Sequence, residues 1–408
     1  MKKHPKKINF DLAKDLCPTS EENNNKYQNI TFDLNAVNKN NNTEQEDLFD
    51  EIKKFFGGPY LDPNGTMHDI SYTKWVENEE NIKKLCTPFE VVLPPEYNNQ
   101  TEKKGNNNPF GVLTKHDYQC ELKLIKWITD DDDHKDNFIK VGNKGTKINR
   151  HNDILPYAFN AVPLNPNVKE KNLENYINAS YIDGPIKKEE KLFIATQGPL
   201  KETIPSFWKM IYNHKIGLVI MLSSKLEEAE GRNAIYWPKE VDKPMEFEEK
   251  NNENKIKIEF VEKEELIPDS MVLKRFKVNN DLEVKQIHIL CWQDHGMPND
   301  PNLTNDIFYH MINYIKKERE ENKKAPIVIH CSAGVGRTGT VIAIYIILFC
   351  LEHLKKLGKP LIMNVFNVVR KLREQRYSLV TDTDQYQFIY DFSLDWIKKN
   401  YINCIDNK

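Results

Sequence analysis

Residues 325 to 339 read Ala325-Pro326-Ile327-Val328-Ile329-His330-Cys331-Ser332-Ala333-Gly334-Val335-Gly336-Arg337-Thr338-Gly339. The apolar run that ends at His330 predicts a buried strand, and the residues from Thr338 onward follow the pattern of a helix. Cys331 to Arg337 therefore form a short turn between a strand and a helix. The glycines here permit the dihedral angles at which successive backbone amides converge, and a helix N-terminus adds positive potential. The stretch predicts a site for a phosphate-like anion.

Cys331 and Arg337 supply the reactive groups of this turn. A helix N-terminus and a nearby guanidinium both favour the thiolate form of a cysteine, which is the nucleophile. The spacing of five residues between them lets the planar guanidinium close over two phosphoryl oxygens, which lysine cannot do. Thr338 can donate to the sulfur as it leaves, and we expect His330 to orient the turn. The residues expected to hold the anion are Ser332, Ala333, Gly334, Val335, Gly336 and Arg337.

The pairing of cysteine and arginine is specific within this chain. No other cysteine is followed by an arginine at the same separation. A purely structural cysteine in front of a glycine-rich helix would explain neither the glycines nor the arginine. We therefore interpret the turn as catalytic.

Composition narrows the remaining classes of function. The formal net charge is −3 with 29% charged residues, so no global basic field attracts nucleic acid or an anionic membrane. The basic N-terminus is not followed by the apolar run of a signal peptide, and Val341 to Leu351 is much shorter than the roughly 20 residues of a membrane span. The seven cysteines contain no Cys-x-x-Cys pair. We expect a cytoplasmic protein without metal or cofactor, and the sequence assigns no oligomeric state.

The chain divides near residue 110. Residues 1–109 form an extension rich in Asn, Lys and Glu that we expect to be largely disordered, with helical or docking segments at 47–95. In that stretch five apolar residues follow helical spacing, and Phe89 to Leu93 favour a strand. Residues 110–402 form the catalytic domain, and 403–408 form a tail. The five apolar residues are Leu48, Phe49, Ile52, Phe55 and Phe56.

The catalytic domain alternates short apolar runs with helical patterns. A first helix is predicted around Tyr118 to Ile128, and the C-terminal part is helical over Val341–Lys356, Met363–Gln375 and Asp384–Lys398. Together these patterns predict an α/β (α+β) fold with a mixed, largely buried sheet flanked by helices. The predicted strands are Leu192–Ala195, Ile216–Leu222, Ile256–Phe260, Ile287–Cys291 and Pro326–His330.

The stretch from His330 to Gly339 resembles the signature loop of the protein tyrosine phosphatases. Five further segments look like segments of that family in its own order: Tyr176 to Ile182, Ala195 to Pro199, Phe207 to Met210, Tyr236 to Pro238 and Gln385 to Tyr390. The resemblance covers most of residues 110–402 and is to the tyrosine-specific branch. It implies a highly twisted mixed sheet, a phosphocysteine intermediate and phosphotyrosine-containing protein substrates.

The resemblance also implies a general acid. Trp292-Gln293-Asp294 looks like the Trp-Pro-Asp loop of the family, so we expect Asp294 to protonate the leaving tyrosinate and then to activate water. Gln293 departs from the usual proline, which alters the expected stiffness of this loop. Glu227 resembles the acidic residue that holds the loop arginine, although Glu228 and Glu230 are near enough to shift that register.

Two other segments depart from the family at one position each. Asn149 to Pro156 looks like the phosphotyrosine-recognition loop, in which Asp153 is positioned to anchor the peptide backbone and His151 replaces the tyrosine that stacks on the substrate ring. Thr381 replaces the first of two glutamines that position the hydrolytic water, so Gln385 alone has this role. We expect weaker stacking and slower hydrolysis of the phosphocysteine.

Three other functions remain as alternatives. A phosphotyrosine-binding pseudophosphatase would explain the departures at His151, Gln293 and Thr381, but not the intact bond-breaking groups. A phosphoinositide phosphatase would favour basic residues inside the loop, where this chain has neutral ones. A rhodanese-like sulfur transferase would not need an acid beside Trp292.

Overall fold

The computed structural model describes residues 43–57, 60–61, 67–68, 89–91, 115–130, 137–141, 147–168, 173–231, 233–248, 255–294, 296–359 and 361–402. The helices are α1 (Thr43–Gly57), α2 (Lys115–Thr129), α3 (Ile204–Asn213), α4 (Lys225–Ala229), α5 (Pro301–Glu321), α6 (Gly336–Lys356), α7 (Val365–Gln375) and α8 (Thr383–Ile397). Short 3-10 turns cover Leu173–Asn175, Lys187–Glu189 and Lys201–Thr203, and a π-helical turn, Lys398–Ile402, follows α8.

The strands form one large sheet and two small ones. The large-sheet strands are β4 (Ala161–Pro163), β5 (Tyr176–Ile182), β6 (Phe193–Thr196), β7 (Leu218–Met221), β8 (Met245–Phe247), β9 (Ile256–Ile267), β10 (Met271–Val278), β11 (Leu282–Ile289) and β12 (Ile327–His330). The small sheets pair β1 (Tyr60–Leu61) with β2 (Met67–His68), and β3 (Phe89–Val91) with β13 (Leu361–Met363).

The nine-stranded sheet has the order β4-β5-β6-β12-β7-β11-β10-β9-β8. Its centre is parallel, because β12 pairs with β6 and β7, and β7 pairs with β11. The strands on both flanks are antiparallel. Every residue of β6, β7 and β12 is buried, as expected of parallel strands covered on both faces. The predicted mixed sheet flanked by helices is therefore confirmed.

Strand alternation divides the core into two layers. In β12, Ile327 and Ile329 join the larger apolar cluster, which contains buried residues of α5, α6, α7 and α8. Val328 joins the other cluster on the opposite face, together with buried residues of α3. The sheet thus holds the end of β12, and the turn that follows it, in the middle of the domain.

Helix α6 lies in the centre of the larger cluster. By length and composition alone it is long and apolar enough to cross a membrane, but its most apolar window is 78% buried inside the fold. The core helix of a folded domain can have the same length and apolar composition as a membrane span. Its burial confirms the interpretation of Val341 to Leu351 as part of a core helix. The helix begins at Gly336, two residues before the predicted start.

Helix α1 packs against α7 and the larger apolar cluster. Ile52 and Phe56 are fully buried in the larger cluster, and Asn367 Nδ2 of α7 donates to Phe56 O at 2.6 Å. The predicted helical spacing of residues 48–56 is thus confirmed. The strand predicted at residues 89–93 is found over Phe89–Val91, which pairs with β13, and residues 92 and 93 lie outside the described residues.

Several predicted elements differ at their ends or lie outside the described residues. Met363 belongs to β13, so the helix predicted from Met363 begins only at Val365, after Asn364 caps it through its bond to the Asn367 amide. The strand predicted to reach Cys291 ends at Ile289. Residues 1–42, the predicted linker at 97–108 and the tail at 403–408 are outside the described residues. The division near residue 110 stays a prediction.

Candidate active site

The turn between β12 and α6 has the backbone conformation that its glycines predict. Gly334 has φ +73°, and a Cβ atom there would lie 2.1 Å from the Thr196 carbonyl oxygen, so no other residue fits. A Cβ atom on Gly336 would lie 2.5 Å from Thr381 Oγ1. Cys331 is buried, and its Sγ accepts the Gly334 amide at 3.3 Å. At least one backbone donor of the turn therefore points at the sulfur.

Arg337 lies in the first turn of α6 and is held by Glu227 on α4. Nη1 donates to Glu227 Oε2 at 2.6 Å, and Nη2 donates to Oε1 at 2.8 Å, so the pair is bidentate. Both side chains are almost fully buried. The contact is made by Glu227 and not by Glu228, whose carboxylate lies near His288.

Arg337 and Glu227 stabilise each other in the charged form. Burial acts to lower the pKa of Arg337, but the bonds to Glu227 outweigh it and hold that pKa above its ordinary value. Burial acts to raise the pKa of Glu227, and the bonds from Arg337 outweigh it and lower that pKa. Within the described residues, the buried Arg337 Nε and Thr338 Oγ1 have no hydrogen-bond partner. Both can donate to an anion or to the sulfur.

Asp294 is brought against the same guanidinium. Arg337 Nη2 donates to Asp294 Oδ1 at 3.0 Å, and Nη1 donates to the Trp292 carbonyl oxygen at 2.9 Å. The Trp292 ring is fully buried, whereas the Asp294 side chain is 42% exposed. The structure thus gathers the predicted nucleophile, arginine and acid at one place, with the carboxylate of Asp294 accessible to solvent.

Asp382 holds the acid-bearing loop from the other side, and the sequence analysis missed it. Its Oδ2 accepts the Gly296 amide at 3.2 Å, and its Oδ1 accepts the Gln385 amide at 2.9 Å and caps α8. Trp292 Nε1 donates to the Gly296 carbonyl oxygen at 3.0 Å, which closes the loop on itself. An Asp three residues before Gln at a helix start is a visible capping signal, but its second contact spans the fold.

Gln385 and Thr381 contact each other beside the turn. The Thr381 amide and hydroxyl both donate to Gln385 Oε1, at 3.2 Å and 3.3 Å. The pair lies directly against Gly336 of the turn, because a Cβ atom there would lie 3.1 Å from Gln385 Nε2. Thr381, which stands where the family has the first of its two glutamines, therefore contacts the second one, Gln385, directly.

His330 is fully buried within a chain of hydrogen bonds. Its Nδ1 donates to the Cys331 carbonyl oxygen at 3.1 Å, because a carbonyl can only accept, so Nε2 accepts the Tyr236 hydroxyl at 2.8 Å. Gln286 Nε2 donates to the Tyr236 oxygen at 2.6 Å. Burial lowers the pKa of His330 to about 4. The contacts fit the expected role of orienting the turn.

Arg376 supports the outer side of the turn and was also missed by the sequence analysis. Its Nε donates to the Gly334 carbonyl oxygen at 2.8 Å, and its Nη2 donates to the Ala333 carbonyl oxygen at 3.2 Å. With these carbonyls held outward, the amides of the turn are free to face inward. Burial lowers the pKa of Arg376 to about 10, where the side chain still carries its charge at neutral pH.

The segment predicted to recognise substrate lies beside the turn. Arg150 donates through Nη2 to the Gly198 carbonyl oxygen at 3.1 Å, and the Gly198 amide donates to the Ser332 carbonyl oxygen at 2.8 Å. Asn149 Oδ1 accepts from Tyr176 and Asn178 of β5. His151 and Asp153 are exposed on this anchored segment.

A cysteine and an arginine on one strand-to-helix turn, with a carboxylate against the arginine, form the arrangement that a cysteine-based phosphatase requires. The family model described as protein-tyrosine phosphatase matches residues 146–395. The chain therefore belongs to the protein-tyrosine phosphatase family.

Individual relatives match the same region. Tyrosine-protein phosphatase non-receptor type 20 of Rattus norvegicus is 32% identical over 252 residues, which are 60% of this chain and 53% of the relative. Tyrosine-protein phosphatase 99A of Drosophila melanogaster is 34% identical over 260 residues, 63% of this chain and 19% of the relative. The chain thus spans about half of the first relative and about a fifth of the second.

Solved structures agree with these relatives. The catalytic domain of human protein tyrosine phosphatase non-receptor type 18 superimposes with a TM-score of 0.57 at 26% identity, covering 68% of this chain and 95% of that chain. A complex of the same phosphatase with HER2 phosphopeptides gives a TM-score of 0.56 at 25% identity, covering 68% of this chain and 98% of that chain.

Replacing Asp382 with serine should release the loop that carries Asp294. Serine keeps one capping oxygen for the Gln385 amide but loses the second acceptor, which holds Gly296. We expect amide hydrogen exchange in the peptide that contains Gly296 to become about fivefold faster, since a lost hydrogen bond weakens protection by about 1 kcal/mol. Asp384→Ser, on the exposed side of the same helical turn, is the matched control. Equal hydrogen-exchange rates of this peptide in Asp382→Ser and Asp384→Ser would contradict the contact between Asp382 and Gly296.

The neutral state of His330 should make stability depend on pH. The unfolded chain takes up this proton below its ordinary pKa of 6.5, whereas the folded protein does so only near pH 4. The contribution of neutral His330 to the free energy of unfolding is therefore complete above pH 6.5. It is lost as the pH falls towards 4, by up to about 3 kcal/mol. In urea unfolding experiments, the free energy of unfolding of His330→Asn should fall less steeply with decreasing pH than that of wild type over this range. Exposed His310→Asn should keep the wild-type slope; a wild-type slope in His330→Asn would refute the assignment.

Proposed function

We propose that this protein hydrolyses phosphotyrosine in proteins through a phosphocysteine intermediate on Cys331. The observation that carries the proposal is the position of Arg337, which follows Cys331 on the anion-binding turn, is fixed by Glu227 and contacts Asp294. A nucleophile, an anion clamp and an acid are thereby combined in one place. Membership of the protein-tyrosine phosphatase family supports the same reaction.

In the first step the Cys331 thiolate attacks phosphorus and the bond from phosphorus to the tyrosyl oxygen breaks. The amides of the turn and the Arg337 guanidinium bind the phosphoryl oxygens, whose charge increases in the transition state. Asp294 gives its proton to the departing tyrosyl oxygen, so the product leaves as neutral tyrosine. The solvent-accessible carboxylate beside Arg337 is suited to reach that oxygen.

In the second step water attacks phosphorus and the bond from phosphorus to sulfur breaks. Asp294, now a carboxylate, accepts a proton from the water, and Gln385 positions the water. Cys331 leaves as a thiolate, stabilised by the Gly334 amide and by the hydroxyl of Thr338, which has no other partner within the described residues. The products are inorganic phosphate and the regenerated enzyme.

Asp153 and His151 form the proposed edge of the substrate site. Asp153 would anchor the peptide backbone, and His151 would replace a tyrosine wall with a smaller ring. Both project from a segment fixed to the turn through Arg150 and Gly198. The solved complex of the non-receptor type 18 phosphatase with phosphopeptides supports a phosphotyrosine-containing protein as the substrate class.

The proposed compartment is the cytoplasm, where Cys331 stays reduced. The relatives from rat and human named non-receptor type 20 support this location, while receptor-type relatives match as well. The proposed catalytic domain spans residues 110–402, preceded by the extension over residues 1–109.

Turnover of a phosphotyrosyl peptide by the purified protein tests the proposal. Wild type should release phosphate in the presence of a metal chelator and be inhibited by vanadate. Cys331→Ser should abolish turnover, and Asp294→Ala should lower kcat by about 10²- to 10⁴-fold, the usual size of general acid catalysis. Cys291→Ser, outside the turn, is the matched control and should stay active.

Full activity in Cys331→Ser would refute the mechanism. Peptide binding without turnover by wild type would instead support a phosphotyrosine-binding pseudophosphatase, the alternative favoured by the departures at His151, Gln293 and Thr381.

Thr381 should make the second step slow. We expect stopped-flow measurements on wild type to show a burst of one tyrosine product per site followed by slower steady turnover, since one positioning glutamine is missing. Thr381→Gln should raise the steady rate severalfold and leave the burst rate unchanged. Thr383→Gln, two residues further on, is the control and should retain the wild-type burst. The absence of a burst in wild type would show that phosphocysteine hydrolysis is not limiting.

A further inference from the structure

A second cavity lies between the large sheet and the segment that follows α4. Its volume is about 310 Å³. The sheet contributes one face of neighbouring strands, since Val272 pairs across β10 and β11 with His288, and Lys274 lies two residues further along the same face. Trp237 of the covering segment and Glu228 of α4 also line the cavity. None of these residues belongs to the proposed catalytic machinery.

Lys274 is a buried cation whose hydrogen-bond partners are neutral. It is 8% exposed, and its Nζ donates to Gln286 Oε1 and to His288 Nδ1, both at 3.1 Å. His288 donates from Nε2 to the Ser223 carbonyl oxygen at 2.8 Å, and burial lowers its pKa to about 3, so it carries no charge at neutral pH. Among the described residues Lys274 forms no ion pair. Burial lowers the pKa of Lys274 to about 7.

The Trp237 ring favours the charged form of this lysine. Lys274 Nζ lies 3.9 Å from the ring centroid, where the negative face of an indole attracts a cation. A buried ammonium with no ion-pair partner among the described residues is costly, and an anion in the cavity would lower that cost. The geometry of a cation on an aromatic wall thus points to a ligand with a negative group and an apolar body.

Glu228 is the one carboxylate among the residues that line the cavity, and its charge partly offsets the effect of burial on the Lys274 pKa, although the two side chains form no ion pair among the described residues. Its Oε1 is buried without a hydrogen-bond partner in the described part of the chain and lies 3.6 Å from His288 Nε2. Burial raises the pKa of Glu228, and the charge of Lys274 acts in the opposite direction. The residues that line the cavity include three further lysines, so positive side chains outnumber the single carboxylate: Lys225, Lys239 and Lys263.

We propose that this cavity is a second ligand site, which binds a small organic monoanion with an aromatic body. The anionic group pairs with Lys274, and the aromatic body packs against Trp237, Phe260 and Leu290. The cavity differs from the proposed catalytic turn, because side-chain ammonium groups rather than converging backbone amides provide its positive charge. A single carboxylate or sulfonate suits it better than a phosphate monoester.

Titration calorimetry with naphthalene-2-sulfonate tests the site, in the presence of saturating vanadate so that the proposed active site is occupied. We expect saturable binding that is at least tenfold weaker in Lys274→Met, which keeps the apolar stem and removes the charge. Lys277→Met, on the exposed face of the same strand, is the matched control and should bind as wild type does. The neutral naphthalene-2-sulfonamide should bind at least tenfold more weakly than the sulfonate.

Glu228→Gln provides a test that misfolding cannot imitate. Removal of the carboxylate should tighten sulfonate binding severalfold, because the anion no longer meets a negative neighbour. Equal affinity in wild type and Lys274→Met would overturn the proposal, as would the absence of saturable binding. If vanadate abolishes the binding, the sulfonate occupies the catalytic turn and the cavity is not a ligand site. These outcomes do not depend on phosphatase turnover.

Discussion

The buried bond between Arg337 and Glu227 is the interaction on which the active site depends. The two charges are removed from water, so each would be strongly destabilising alone, and together they are held by two short bonds. Arg337 also donates to the carbonyl oxygens of Leu222 and Trp292. One guanidinium therefore joins the first turn of α6, the end of β7 and the acid-bearing loop.

The sheet gives this guanidinium a fixed frame. β12 is flanked by parallel partners on both sides, and all of its residues are buried, so the end of the strand is fixed laterally. The turn that follows is braced from outside by Arg376 and from the opposite face of the sheet by the chain of hydrogen bonds through His330. These contacts fix the backbone of the turn, in which the Gly334 amide is directed at Cys331 Sγ, and the proposed electrostatic stabilisation of a transition state requires such a fixed backbone.

The spacing within the turn predicts its geometry, Asp294 and Glu227 follow only from the family resemblance, and the contacts of two further residues are not predicted at all. Cys331 to Arg337 lie on one turn, so their spacing alone indicates their geometry. The choice of Glu227 over Glu228 depends on which face of a five-residue helix meets Arg337, and this is decided by packing. Asp382 and Arg376 act through contacts that span the fold. The position of Val365 as the start of α7 follows from the pairing of Met363 with Phe89, which local periodicity does not reveal.

The docking of α1 has a consequence for the order in which the chain acquires its structure. The bond from Asn367 to Phe56 joins residues that are 311 positions apart, and Lys371 of the same helix donates to the carbonyl oxygen of Lys54. During synthesis α1 leaves the ribosome long before its binding surface exists, since α7 is among the last elements made. The apolar face of α1 therefore stays unburied until the whole sheet has formed. The earliest described helix is thus among the last to dock, and its apolar face has no partner in the nascent chain until α7 has been made.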